Sequence, residues 1–241
     1  MSDYILSEET RTKYKKISTA TIATALYKRG LRNQFIQGVV PVAAKAENMV
    51  GQAFTLRYIP AREDRNPITV FRDPHHPQRV AMETCPAGHV LVMDARKDAR
   101  AATAGSILIT RLAVRGAAGV VSDGGFRDAE GIGALSMPAY YAKPSAPTNL
   151  TLHEALDINV PISCGDVAVF PGDVMIGDKD GVMVIPSHLA DELADECTGM
   201  ESYEDFVLEQ VQCGAAIIGL YPCTKEEHQL KYAEWRTKTV R

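Results

Sequence analysis

The chain has 241 residues, 46% of them hydrophobic and 23% charged, with a formal net charge of −4. These proportions are ordinary for a globular protein large enough to bury a substantial core. Because no basic cluster accompanies the negative charge, we expect no binding to nucleic acid or to a membrane surface. An anionic substrate would depend on local cationic side chains.

Cysteine usage and the N-terminal sequence indicate in which cellular compartment the protein is expected. Five cysteines are scattered along the chain without CxxC or Cys/His metal spacing: Cys85, Cys164, Cys197, Cys213 and Cys223. Reduced thiols are expected from this pattern. The charged N-terminus lacks the apolar core of a signal peptide, and no apolar run approaches membrane-spanning length. We therefore predict a cytoplasmic protein.

Short helices and strands alternate in the first third of the chain. Ser18 and Thr19 cap a helix that Gly30 ends. Helices are predicted over 1–16, 20–28 and 79–84, and strands over 39–42, 52–59 and 89–94. Asp94 closes the last strand, where α/β enzymes place functional groups. His89, which opens that strand, is interpreted as a structural donor.

The segment 60–77 is rich in proline, aspartate and arginine and is long enough to be a functional loop. It contains His75 and His76. Adjacent side chains point apart on a regular element, so we expect solvated histidines there and no metal pair.

The stretch from Gly105 to Asp128, GSILITRLAVRGAAGVVSDGGFRD, combines several structural signals in succession. It is predicted to form a helix, a strand over 118–121 and a glycine-rich turn. The helix opens at 104–106, carries an apolar face of Ile107, Leu108 and Leu112, and stops at Gly116. The turn at 123–125 then delivers Arg127 and Asp128 together.

This geometry predicts an anion and metal site. The first amides of a helix lack internal partners, so Gly105, Ser106, Ile107 and Leu108 are candidates to hold a carboxylate or phosphate. Arg127 would supply a bidentate fork for an anionic substrate. Asp128 would supply a hard oxygen ligand for Mg²⁺ or Mn²⁺. The alternative is a simple turn followed by a solvated Arg–Asp surface pair.

Residues 129–241 are predicted to form a short helix, several strands and then further helices. A helix over 129–135 and a strand near 137–141 precede an irregular segment over 142–151. Strands over 160–163, 166–170, 174–177 and 182–185 are expected to form a β-meander. The acidic side chains Asp173, Asp178 and Asp180 are interpreted as turn carboxylates, because they lack EF-hand spacing. Helices are expected over 188–197, 201–212 and 225–236, and Gly199 is expected to separate the first from the second.

The stretch that ends in Arg127 and Asp128 resembles the signature of the RraA-like family. The segments STATIATAL, PAGHVLVMDA and PGDVMIGDKDGVMVIP extend the resemblance over most of the chain. The family holds class II 4-hydroxy-4-methyl-2-oxoglutarate/4-carboxy-4-hydroxy-2-oxoadipate aldolases, oxaloacetate decarboxylases and the regulator of ribonuclease activity A. The resemblance implies a single α/β domain over 1–241 with the α/β/α swivelling-type fold and a C-terminal helical extension over 187–241. It also implies homotrimers or homohexamers with active sites at subunit interfaces.

The resemblance also assigns roles. Arg127 would bind the substrate carboxylate, and Asp128 would hold the divalent metal. A C-terminal glutamate of a neighbouring subunit reaches the site in the aldolases, and the candidates here are Glu201, Glu204 and Glu209. This chain has Ser106 where those aldolases carry an acidic residue that helps deliver a proton. Serine is no general acid near neutral pH.

The leading functional hypothesis is a metal-dependent carbon–carbon lyase, an aldolase or decarboxylase, that cleaves small 2-oxo acids through pyruvate enolate. A second hypothesis keeps the metal and the arginine for dehydration of a hydroxy or sugar acid. A third, from a different class, is a non-catalytic regulator that binds a ribonuclease. The sequence does not name the substrate, whose recognition we expect in the 60–77 loop and at the subunit interface.

Overall fold

The computed structural model describes residues 4–239 and confirms the predicted mixed α/β fold. Over this range the helices are α1 (Glu8–Tyr14), α2 (Thr19–Lys28), α3 (Pro77–Thr84), α4 (Ser106–Val114), α5 (Ala129–Gly133), α6 (Ala190–Gln212) and α7 (Glu226–Thr239). The strands are β1 (Val40–Pro41), β2 (Met49–Pro60), β3 (His89–Asp94), β4 (Ala102–Ala104), β5 (Gly119–Ser122), β6 (Gly125–Phe126), β7 (Ala139–Tyr141), β8 (Lys143–Pro144), β9 (His153–Ile158), β10 (Ile162–Cys164), β11 (Val167–Val169), β12 (Val174–Gly177) and β13 (Val182–Ile185). The predicted helix over 1–16 corresponds to α1; residues 1–3 of that prediction, like 240–241 of the domain, lie outside the described residues.

The main sheet is built around β2, β3, β5 and β7, which run parallel. Its strand order is β1-β7-β5-β3-β2-β12-β13, and β9 pairs with the second half of β2. The long β2 therefore has three partners: β12 along its start, β3 along its middle and β9 along its end. A three-stranded parallel sheet, β4-β6-β8, and the hairpin β10–β11 stand apart from it.

Alternation along the strands divides the core into an inner and an outer part, as the two-residue period of a strand requires. In β3, Val90 and Val92 face an inner core that includes the hairpin β10–β11, while Leu91 and Met93 face α3 and α4. Further along the sheet, β12 and β13 present their outer face to α1, α2 and α6. The resulting sheet is close to a barrel, with helices outside it.

Local signals for the helix ends agree with the structure. Ser18 caps α2, its side chain accepting from the amide of Thr21, and Gly30 follows the helix at a φ of 81°. Gly116 after α4 has a φ of 82°, the left-handed conformation that a glycine adopts without penalty. Asp178 accepts from the amides of Asp180 and Thr19, so it acts as a turn and cap carboxylate, as expected.

The predicted break at Gly199 is wrong, because α6 runs unbroken through it. A glycine in a helix interior costs only about 1 kcal/mol. The packing on either side offsets that cost: Leu193 and Cys197 contact the α1–α2 core, and Phe206 and Val207 are buried further along. No helix among residues 4–239 combines the length and apolarity needed to cross a bilayer.

Two other strand predictions are corrected. β9, with the sequence HEALDI, was not predicted because Glu154 and Asp157 have low β-propensity; pairing with β2 makes it a strand. The predicted meander is instead two separate hairpins. β10–β11 covers the inner core, whereas β12–β13 extends the main sheet through β2.

Candidate active site

Two short parallel strands bring the two halves of the predicted site together. β4 leads into Gly105 and α4, and β6 leads into Arg127 and Asp128. The amide of Arg127 donates to the carbonyl of Ala104 at 3.1 Å. Because parallel strands end at the same edge, the opening of the helix and the Arg–Asp pair emerge side by side.

The contacts of this site converge on one oxygen of Asp128. Its Oδ2 accepts from the amide of Ser106 at 3.3 Å and from the Ser106 hydroxyl at 3.2 Å. The Nε of Arg127 lies 3.7 Å from the same oxygen. The side chains of Arg127 and Asp128 are 47% and 51% exposed, so both remain accessible to a ligand.

Gly105 makes this close approach possible. A Cβ at this position would lie 2.9 Å from both Cγ and Nε of Arg127 and 3.0 Å from Oδ2 of Asp128. Its own backbone is extended, with φ −124°, so the requirement concerns space and not conformation. Asp128 itself has a φ of 59°, a left-handed conformation that aspartate tolerates better than most residues.

The site lies on a cavity of about 340 Å³. Its walls combine residues from the 60–77 loop, α3, β4, the start of α4 and the Arg–Asp pair: Ile68, Phe71, Gln78, Arg79, Ala102, Ala104, Gly105, Ile107, Leu108, Arg127, Asp128 and Thr148. Arg127, Asp128, Gly105, Ile107 and Leu108 are therefore brought to one cavity, with Ser106 hydrogen-bonded at its edge.

The predicted apolar face of α4 is partly wrong. Ile107 is 79% exposed, and the buried positions are Ile109 and Leu112. The first turn of α4 faces the cavity, so Ile107 and Leu108 line it while the next turn packs on the core. Periodicity alone does not distinguish a cavity wall from a core contact.

A buried carboxylate holds the glycine-rich turn in place. Asp123 accepts from the amides of Ala95 at 2.6 Å, Lys97 at 3.1 Å and Gly165 at 3.1 Å. Burial raises the pKa of Asp123 above that of an ordinary carboxyl. These bonds fasten the turn before Arg127 to the loops that follow β3 and β10, so Asp123 supports the site without lining the cavity.

The other acidic and histidine candidates have structural contacts. Asp94 does not line the cavity; it accepts from the amides of Arg96 at 2.9 Å and Ser163 at 3.3 Å, and burial raises its pKa. His89 contacts the carbonyl of Ala87 at 3.3 Å. The prediction of solvated loop histidines holds for exposed His75 only, because His76 is 8% exposed at the start of α3.

The donor set around Asp128 fits a weakly held divalent cation. Among the described residues, no group of three or more His, Cys, Asp or Glu side chains is arranged to hold a metal ion. Asp128 would contribute a single half-exposed carboxylate. Mg²⁺ commonly accepts one or two carboxylates and completes its shell with water and substrate, so one carboxylate is compatible with it.

The three C-terminal glutamates are engaged within their own chain. Glu201 accepts from the amide of Ser18 at 2.7 Å. Glu204 accepts from the hydroxyl of Tyr221 at 2.7 Å, and Glu209 from the indole of Trp235 at 2.7 Å. Each thus has an intrachain role as a cap or a link to the C-terminal segment.

Residues of the cavity that the sequence did not single out lie outside the signature. Gln78 and Arg79 come from α3, and Thr148 comes from the segment after β8. The length and composition of the 60–77 segment were the available signal, and the structure places Ile68 and Phe71 of that segment on the cavity wall.

Comparisons with known proteins agree with this architecture. The family model described as RraA-like, Aldolase/RraA, matches residues 19–184. A Halalkalibacterium halodurans protein named "Putative 4-hydroxy-4-methyl-2-oxoglutarate aldolase" is 33% identical over 175 residues, covering 73% of this chain and 75% of that protein. A protein of the same name from Ectopseudomonas mendocina is 33% identical over 103 residues, covering 43% of this chain and 63% of its own length.

Solved structures give the same result. The crystal structure of Streptomyces coelicolor RraAS2, an unusual member of the RNase ES inhibitor RraA protein family, superposes with a TM-score of 0.73. It is 27% identical and covers 83% of this chain and 96% of its own. The family model spans more than half of the chain and includes both halves of the site, and we conclude that this protein belongs to the RraA-like family.

Proposed function

We propose that this protein is a divalent-metal-dependent carbon–carbon lyase that acts on small 2-oxo acids, as an aldolase or an oxaloacetate decarboxylase. The observation that carries the proposal is the convergence of Arg127, Asp128 and the opening of α4 on one cavity. The aldolase names of two relatives support the reaction class.

The anion-binding groups define how a 2-oxo acid would lie. Arg127 offers a planar fork to the carboxylate next to the 2-oxo group. The amides of Ile107 and Leu108 in the first turn of α4 would add a second, partly positive contact. Asp128, which lies beside them, would hold the divalent cation. That cation, when bound, would supply a Lewis acid for the 2-oxo oxygen.

Cleavage then proceeds without a covalent enzyme intermediate. The bond between carbons 3 and 4 of the oxo acid breaks, and its electron pair moves towards the 2-oxo group to give pyruvate enolate. The other product is carbon dioxide from oxaloacetate, or a carbonyl compound when a 4-hydroxyl group loses its proton. Protonation of the enolate carbon completes the formation of pyruvate.

Ser106 favours decarboxylation over aldol cleavage. Its hydroxyl donates to Asp128, and serine does not titrate near neutral pH. Aldol cleavage requires removal of a hydroxyl proton as the bond breaks, whereas decarboxylation of oxaloacetate requires no such transfer. The enolate can take its proton from water that reaches the half-exposed site.

The test is pyruvate release from oxaloacetate and from 4-hydroxy-4-methyl-2-oxoglutarate, with Mg²⁺, Mn²⁺ or EDTA and an enzyme-free blank for each metal. We expect metal-dependent release that Asp128→Asn abolishes, because asparagine loses the charge that holds the cation. Asp195→Asn is the matched control, since Asp195 is 69% exposed and paired with Lys13. Equal rates with Mg²⁺ and EDTA, or turnover of only hydroxy or sugar acids, would refute the proposal.

A further inference from the structure

Arg79 lines the same cavity but lies outside the family signature. It lies in the first turn of α3, its amide donating to the carbonyl of His76 at 2.8 Å. Its guanidinium carbon lies 4.6 Å from the centroid of the Phe71 ring, which also lines the cavity. Stacking on an aromatic face leaves the edge of a guanidinium free to donate hydrogen bonds.

No acidic side chain among the described residues pairs with Arg79. Two arginines of the preceding 60–77 segment do have acidic partners: Arg62 pairs with Asp64 at 2.6 Å, and Arg65 with Glu154 at 2.9 Å. Among residues 4–239, Arg79 has no such ion pair, and its one ring contact is with Phe71. A partly buried cation on a cavity wall without a carboxylate partner is a binding group for an anion.

The backbone that carries Arg79 is anchored to the strand that leads into the site. Gln78, fully buried, donates from Nε2 to the carbonyl of Thr103 in β4 at 2.6 Å. It also lies 3.4 Å from the hydroxyl of buried Tyr58. Because β4 continues into Gly105, this anchor sets Arg79 at a defined position relative to the opening of α4.

We propose that Arg79 is a specificity-determining residue that binds a second acidic group of the substrate, at the end remote from the 2-oxo carboxylate. The inference rests on the proposed function, in which Arg127 takes that first carboxylate. Ile68, Phe71, Ile107 and Leu108 supply apolar walls, so the intervening part of the substrate is a short carbon chain. Arg79 would thereby select a substrate that carries this second acidic group over the analogue that lacks it.

The test uses two probes of equal chain length, 2-oxoglutarate and 2-oxopentanoate, which differ by a carboxylate in place of a terminal methyl group. Binding is measured by calorimetry with saturating Mg²⁺, independently of turnover. We expect the wild type to prefer 2-oxoglutarate by about tenfold to a hundredfold, the range for hydrogen bonds to a charged group. Arg79→Met keeps an apolar stem against Phe71 and should abolish that preference, while Arg79→Lys should restore part of it.

Arg72→Met is the matched control, because Arg72 lies in the 60–77 segment that precedes α3, is exposed and does not line the cavity. Thermal unfolding of each variant shows whether the fold is retained. An unchanged probe ratio in Arg79→Met, or no binding of either probe by the wild type, would overturn the assignment of Arg79. Arg79-dependent binding without pyruvate release from any oxo acid would instead refute the lyase proposal and leave the subsite standing.

Discussion

Replacing Gly105 by alanine should separate the function of the site from the stability of the fold. The new Cβ would lie 2.9 Å from Cγ and Nε of Arg127 and 3.0 Å from Oδ2 of Asp128. A real Cβ essentially never lies closer than 3.0 Å to such an atom, so Arg127 must move, and Asp128 must give way slightly. Both are half exposed and flexible, so they are free to shift into solvent at little cost in folding free energy.

The two expected effects differ in size. Alanine is compatible with the extended backbone at Gly105, where φ is −124°. Alanine also reduces the conformational entropy of the unfolded chain, which raises the free energy of unfolding by about 0.4–1 kcal/mol. The strain of displacing two side chains offsets part of this gain, so the free energy of unfolding should stay within about 1 kcal/mol of wild type. Activity should fall by about a hundredfold, the typical effect of a displacement of 1 Å in a catalytic constellation.

The assay pairs urea unfolding with kcat/KM for pyruvate release. Gly199→Ala is the control: its Cβ would meet no atom within 4 Å, so it should gain about 1 kcal/mol of helix stability without a change in activity. Wild-type kcat/KM in Gly105→Ala would show that the close approach of Arg127 and Asp128 to Gly105 is dispensable. A stability loss well above 2 kcal/mol would show that these side chains support the fold instead.

Three further outcomes are expected. Arg127→Lys should weaken transition-state stabilisation, measured from kcat/KM, by about 1.5–3 kcal/mol, because a point charge replaces the bidentate fork. Unchanged kinetics would show that Arg127 does not bind the substrate. Ser106→Asp, which sets a second carboxylate beside Asp128, should raise the ratio of aldolase to decarboxylase rate by about 10²–10⁴-fold; an unchanged ratio would mean that the proton comes from elsewhere. Burial raises the pKa of Asp123, so the Asp123 carboxyl group binds a proton more tightly in the folded protein than in the unfolded chain. The contribution of Asp123 to stability is therefore full below its unfolded pKa of about 3.9 and declines as pH rises through its folded pKa. The difference in unfolding free energy between wild type and Asp123→Asn should therefore decrease with pH in that window, and a constant difference would contradict the shift.

Several elements were predictable because their signals are local. Gly30 and Gly116 end helices in the left-handed conformation, and Ser18 caps α2. The strand predicted over 89–94 coincides with β3, since a buried parallel strand reads as a continuous apolar run.

Elements decided by long-range pairing escaped prediction. β9 contains charged residues and becomes a strand by pairing with β2 across about a hundred residues of sequence. Gly199 stays helical because cores on both sides of it hold α6 straight. The hairpin β10–β11 stays separate whereas β12–β13 joins the main sheet, and the alternation of residues along the strands carries no information about this difference.

The sequence by itself determined the local chemistry: a helix opening at Gly105 and an adjacent fork and carboxylate at Arg127 and Asp128. These follow from nearest-neighbour preferences and a signature contained in 24 consecutive residues, numbered 105–128. Only the tertiary structure decided what surrounds that chemistry, because the pairing of β4 with β6 and the anchoring of Gln78 to β4 join residues far apart in the chain. The cavity, the exposure of Ile107 and the place of Arg79 on the cavity wall arise from those contacts.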